Sequence, residues 1–272
     1  MELVEKSTRQ LAVVTGASSG IGYELARQFA EHDYDLIIAA EDRGIERAAH
    51  DIEASFEVAV DSIRCDLSTY EGVEDLCHFI EETGRPVAVV CLNAGVGLGG
   101  RFYETDLDRE INMVHLNVIS TIHLAKRMVQ RMLRRRQGGR LLFTSSIAAD
   151  MPNPYQSVYA ATKAFVQSFS QALRYELKDM GIKVTALQPG ATETNFFSRA
   201  ELNDTAVGTA KKDDPAQVAR EGYEALMNDD DHVVAGSFKN KVMSSDLLPE
   251  TTKASMAGEQ SKPGSAKKTK AE

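Results

Sequence analysis

Short apolar runs alternate with helix-length amphipathic stretches along most of this chain, the order expected of βαβ units around a parallel sheet. Leu11–Thr15 reads as a first strand, followed by a helix from about Ile21 to Glu31. Asp35–Ala40 is a short apolar strand, as a strand covered on both faces must be. A helix over Gly44–Ala54, a strand near Val58–Cys65, a helix near Tyr70–Glu82 and a buried strand Val87–Leu92 continue the alternation. From Leu107 to Arg135 apolar residues recur at Leu107, Ile111, Val114, Val118, Ile122, Ala125, Val129 and Met132, one stripe along a long helix. RQGGR breaks it before a strand at Leu141–Thr144. A loop, MPNPY, then leads to a second long helix, Tyr159–Met180. Ile182–Leu187 is a strand stopped by Pro189-Gly190. Asp214 and Pro215 open a helix to about Met227, and Val233–Ala235 is a short last strand. No repeat or linker splits the pattern. It therefore predicts one domain over 1–256 and a disordered basic tail over 257–272.

Composition narrows the class. At 272 residues with 43% hydrophobic and 26% charged positions, the chain has material for a large core. The net charge of −9 argues against nucleic-acid binding. Against that acidic body, Lys253–Glu272 holds five lysines and two glutamates, read as a solvated end. No apolar run suits a membrane span, and MELVEKSTRQ lacks a secretory core. Cys65, Cys77 and Cys91 have no CxxC spacing and suit a reduced, cytoplasmic protein. The histidines show no metal-ligand spacing.

The chemistry concentrates in three places. In YAATK, Tyr159 and Lys163 lie one helical turn apart. An ammonium beside a phenol favours the phenolate, which makes a group of reference pKa ~10 usable as an acid or base. Thirteen residues upstream stands Ser146, with Ser145 the alternative hydroxyl. TGASSGIG follows a strand and opens a helix, so Gly16, Ser18, Ser19, Gly20, Ile21 and Gly22 form a candidate dinucleotide loop. About twenty residues on, Glu41 and Asp42 end a strand where an acid accepts from a ribose 2′-hydroxyl, favouring NAD(H) over NADP(H). Arg43 is the candidate for a phosphate.

TGASSGIG, Asn93-Ala94-Gly95, Asn117, Ser146, YAATK and Pro189-Gly190 with Thr194, in this order, resemble the short-chain dehydrogenase/reductase family over roughly Gln10 to Asn195. The resemblance implies a single doubly wound α/β domain of Rossmann type with a roughly seven-stranded parallel sheet. It also implies NAD(P)(H)-dependent interconversion of an alcohol and a carbonyl. Carried over, Tyr159 is the proton donor and acceptor, Lys163 lowers its pKa and binds the nicotinamide ribose, and Ser146 holds the substrate oxygen. Asn117 completes the set by positioning a water. Asp66, with Leu67, meets adenine, Asn93, Ala94 and Gly95 line the adenosine side, and Pro189, Gly190, Thr192 and Thr194 embrace the carboxamide.

The Asn195–Lys212 segment sits where the family has a mobile lid, and Phe196 and Phe197 suit an apolar wall. Tyr155 reads as pocket lining or packing. By analogy with the family, burial of the two long helices between subunits implies a homo-oligomer, dimer or tetramer, and the resemblance implies a small alcohol or carbonyl compound as the partner. Epimerisation, dehydration or a non-catalytic dinucleotide-binding role remain alternatives on the same fold.

Overall fold

In the computed structural model, which describes residues 8–237, 240, 244 and 249–266, the strands are β1 (Leu11–Thr15), β2 (Asp35–Ala40), β3 (Val60–Arg64), β4 (Val87–Leu92), β5 (Gly139–Thr144), β6 (Ile182–Pro189) and β7 (His232–Ala235). They form one seven-stranded sheet in the order β3-β2-β1-β4-β5-β6-β7, every pair parallel. The helices are α1 (Gly20–Glu31), α2 (Gly44–Ser55), α3 (Tyr70–Glu82), α4 (Leu107–Val114), α5 (Ser120–Arg135), α6 (Ser157–Leu177), α7 (Phe196–Arg199), α8 (Ala206–Thr209), α9 (Pro215–Asn228) and α10 (Glu250–Ser261).

The period of two along each strand divides the core. Ala12 and Val14 of β1 pack with Leu25 and Phe29 of α1, Ile45 and Ile52 of α2 and Val218 and Leu226 of α9. Leu11 and Val13 point the other way, onto Leu76 and Ile80 of α3, Leu124 and Met128 of α5 and Val166 of α6. Burying each Leu, Ile or Phe contributes roughly 1.5–3 kcal/mol, so these two clusters, more than local propensity, hold the helices on the sheet. β1 pairs with β2 on one side and β4 on the other, where the strand order reverses. In a doubly wound sheet the ligand crevice lies at that switch, beyond the carboxyl ends of the strands.

The expected elements are present with shifted ends. β3 begins at Val60 because the Ala59 N–H is taken by the Asp35 carboxylate at 3.0 Å. β5 starts two residues early, at Gly139, where Gly138 turns at φ +67°. The helix predicted over Leu107–Arg135 is interrupted by a wide π turn at His115–Ile119, centred on Asn117. The helix predicted to Met180 leaves α-geometry after Leu177 for a 3₁₀ turn.

Over residues 257–266 the expected disorder is corrected. α10 runs to Ser261, and backbone bonds continue to Ala266, whose N–H donates to the Asp204 carbonyl at 2.9 Å. Ala257 packs on Met151, and Ser261 is 3% exposed. Tertiary burial has overridden a composition of small and polar residues. Lys267, Lys268 and Lys270 of the basic tail lie outside the described residues.

Candidate active site

One cavity of about 350 Å³ opens at the carboxyl edge of the sheet. Gly16, Ser18, Ser19, Gly20, Ile21 and Gly22 line one part of it. Gly16 sits at φ +68°, and a Cβ there would stand 2.9 Å from the Ala94 Cα. A Cβ on Gly22 would lie 2.2 Å from the Gly16 carbonyl oxygen, so the loop folds directly onto the first turn of α1. That turn has no side-chain cap at Ser19 and no acidic residue. Its free N–H groups and positive dipole end suit a pyrophosphate. The glycine cradle thus fits a dinucleotide.

Thr15 fixes the loop. Its hydroxyl donates to the Cys91 carbonyl at 3.2 Å and accepts from the N–H groups of Asn93 (3.0 Å) and Ala94 (3.1 Å). Thr144 donates to the Asn93 side-chain oxygen at 3.1 Å, so β1, β4 and β5 are joined at their ends by side chains.

Glu41, Asp42, Asp66 and Leu67 line the same cavity where β2 and β3 end, whereas Arg43 does not. Partial burial raises the Asp42 carboxyl. Hydrogen bonds from Ser18 (2.7 Å) and the Gly44 N–H (2.9 Å), with the Arg199 guanidinium 3.6 Å away, outweigh it and hold the group below the usual carboxylate range. Asp42 is therefore an anion tied both to the glycine loop and to α7.

Tyr159 and Lys163 are buried side by side on α6. Lys163 Nζ donates to the Thr144 carbonyl at 2.9 Å and stands 5.9 Å from the Tyr159 ring centroid. Burial pushes the phenol up to about 12, partly offset by a hydrogen bond with Ser146, and pushes Lys163 down to about 8. The expected lowering of the Tyr159 pKa is thus reversed, because desolvation outweighs the hydrogen bond with Ser146. Ser145 and Ser146 both line the cavity, but their hydroxyls differ. Ser145 donates to the Lys163 carbonyl at 2.9 Å, while Ser146 hydrogen-bonds with Tyr159.

Asn117 does not line the cavity. Its amide donates to the Val96 carbonyl (2.9 Å) and Thr162 hydroxyl (3.0 Å), and its oxygen accepts from the Val96 N–H (3.0 Å). It holds the strand-4 loop over Lys163, where a Cβ on Gly95 would lie 3.3 Å from Nζ. Asn93, Ala94, Gly95, Pro189, Gly190, Thr192 and Thr194 all line the cavity. In the lid segment, the Phe196 ring lies 5.3 Å from that of Tyr159, and Phe197 also reaches the lining. Tyr155 is absent from the lining. It adopts φ +66°, and its carbonyl accepts from Gly100. The sequence reading missed Arg199, Gln156, Gln260 and Ser261, which also line the cavity. No local signal marks them, because their partners are far away in the chain.

A model of the short chain dehydrogenase family matches residues 10–205. The probable oxidoreductase EphD of Mycobacterium tuberculosis is 32% identical over 189 residues, 69% of this chain, and the chain spans only 32% of that protein's length. Dehydrogenase/reductase SDR family member 7B of Bos taurus is 29% identical over 251 residues, covering 88% of this chain and 74% of the bovine one. A short-chain dehydrogenase from Sphingobium yanoikuyae solved with NADPH has a TM-score of 0.77 and 26% identity, over 83% of this chain and 87% of its own. The bulky-bulky ketone specific alcohol dehydrogenase of Comamonas testosteroni gives 0.74 and 25%, over 84% and 86%. With glycine loop, hydroxyl and Tyr–Lys pair converging on one cavity and the family pattern spanning most of the chain, the protein belongs to the short chain dehydrogenase family.

Proposed function

We propose that this chain is an NAD(P)(H)-dependent oxidoreductase that interconverts a secondary alcohol and a carbonyl compound, with Tyr159 as the proton donor and acceptor. The observation that carries the reading is a single cavity joining the α1 glycine loop to the Tyr159, Ser146 and Lys163 side chains. Gly16 to Gly22 would hold the pyrophosphate, Asp66 and Leu67 the adenine, and Pro189 to Thr194 the nicotinamide end. A bound nicotinamide dinucleotide supplies or removes the hydride. Everything else belongs to the protein. Ser146 and Tyr159 converge on one substrate oxygen and stabilise the charge that develops there. The raised phenol pKa keeps Tyr159 protonated near neutrality, the form that carbonyl reduction uses. Phe196 packs beside its ring and gives the site an apolar wall.

Lys163 gives this reading a pH signature. A charged ammonium 5.9 Å from the centre of the ring favours the forming phenolate by roughly 3 kcal/mol at an effective dielectric constant of ~20. Protonated below about pH 8 and neutral above, Lys163 withdraws that help as pH rises. The turnover number for carbonyl reduction should therefore fall through that range by one to two orders of magnitude. A profile flat from pH 6 to pH 10 would contradict the role.

NAD(H) is the preferred cofactor in this proposal, since Glu41 and the anionic Asp42 oppose a 2′-phosphate. Fluorescence titration with NADH and NADPH, followed by turnover of a ketone panel, tests both parts. Tighter binding of NADPH would reverse the preference, and binding of neither would remove the function. The exposed Leu107, Ile111 and Ile119 on the α4–α5 side and Tyr175 on α6 support a homo-oligomer. Sedimentation velocity showing only monomer at micromolar protein would refute that assembly.

A further inference from the structure

We infer that α10 is the outer wall of the substrate end of the cavity, and that Gln260 with Asn153 and Gln156 selects an uncharged carbonyl compound bearing a hydrogen-bonding group away from the reacting carbon. The inference rests on the reading that Tyr159 acts on a carbonyl or alcohol oxygen. Ala257, Gln260 and Ser261 line the same cavity as Tyr159 and Ser146. Long-range bonds hold them there. The buried Ser261 hydroxyl accepts from the Gln156 amide at 2.9 Å and donates to the Asn153 side-chain oxygen at 3.4 Å. Ala257 packs on Met151, and the buried Lys253 donates to the Asp150 carbonyl at 3.5 Å.

Beyond α10 the chain clasps the lid. The Gly264 N–H donates to the Asp204 carboxylate at 2.8 Å, and the Ser265 hydroxyl accepts from the Ala206 N–H at 2.9 Å. Lid and helix are thus one piece of wall.

The lid brings Arg199, paired with Asp42, and Lys211 to the cavity, whereas the α10 side is neutral. The lining contributed by residues 147–156 and by α10 has no charged side chain. An unpaired charge desolvated against that surface would cost several kcal/mol. The Gln260 amide, by contrast, has no hydrogen-bond partner among the described residues. A substrate hydroxyl, ether or amide there gives this half-buried amide a partner that an apolar substrate does not.

The test uses three ketones that differ only at the para position of acetophenone: hydroxymethyl, methyl and carboxylate. The full-length protein should favour the hydroxymethyl over the carboxylate compound by tenfold or more in kcat/KM. Gln260→Leu should reduce the preference for hydroxymethyl over methyl about tenfold, through KM with kcat kept. Equal use of the carboxylate compound, or an unchanged preference in Gln260→Leu, would overturn the substrate class.

A second arm needs no turnover. Gln260→Cys and Glu259→Cys are labelled with a bulky fluorescein maleimide. The native thiols stay silent, because all three are buried and burial pushes Cys65 up to about 12, Cys77 up to about 11 and Cys91 up as well. The cysteine introduced at 260 should react at least tenfold more slowly than that at the exposed 259 position. Equal rates, with ketones reduced by the unsubstituted protein, would overturn the wall alone. Shielding at 260, with no ketone reduced by the unsubstituted protein, would overturn the substrate class together with the oxidoreductase reading.

Discussion

Tyr159→Phe is expected to slow carbonyl reduction by about 10²–10⁴-fold, the range of a lost general acid, with NADH affinity changed by less than about twofold. The split follows from the site. The glycine loop that would bind the pyrophosphate is built by β1, β4 and α1, and makes no use of the phenol. The ring itself stays supported in the variant, because it packs with Leu98, Met113 and Phe196. Steady-state kinetics and a fluorescence titration on the same preparation measure the two quantities. Wild-type turnover in the variant would remove Tyr159 from the chemistry.

Gly22→Ala should do the opposite of what helix propensity predicts. Alanine in a helix is favoured over glycine by about 1 kcal/mol. Here the new Cβ would stand 2.2 Å from the Gly16 carbonyl oxygen and 2.4 Å from the Asn93 amide nitrogen. Overpacking of this kind costs roughly 1–3 kcal/mol or more, and the contact is with backbone that cannot rotate away. The melting temperature should fall by roughly 2–12 °C, at ~2–4 °C per kcal/mol for a chain of this size. NADH affinity should fall at least tenfold, because the displaced atoms shape the phosphate cradle. A thermal scan showing an equal or higher midpoint would show that the loop yields without loss.

What the sequence displays openly is whatever a short window encodes. The strands Leu11–Thr15, Asp35–Ala40 and Val87–Leu92 are apolar runs of the right length. TGASSGIG shows its turn through its glycines, and YAATK places phenol and amine on one helical face. What it conceals are pairings across the chain. Arg199 finds Asp42, Gln156 finds Ser261, and the Thr144 carbonyl receives Lys163, none of them within a window that a pattern can span. The π turn is an intermediate case. Asn117 was legible only through the family resemblance, as a polar residue in the middle of a long helix. Its bonds to Val96 and Thr162, which occupy its side chain, depend on how two other segments pack. Order over residues 257–266 was hidden for the same reason, since small and polar residues become ordered only when a neighbouring surface covers them.

The three hydrogen bonds of Thr15 also set an order of events during folding. They join positions 76 to 79 residues apart in the chain, across the β1–β4 pair. Closing a separation of that kind is slow compared with forming α1 or β1 alone. A refolding chain therefore acquires helix and local collapse before it can hold a dinucleotide, and binding competence arrives only with the central pairing. Added NADH would accordingly act on the finished molecule, slowing its unfolding rather than hastening its assembly.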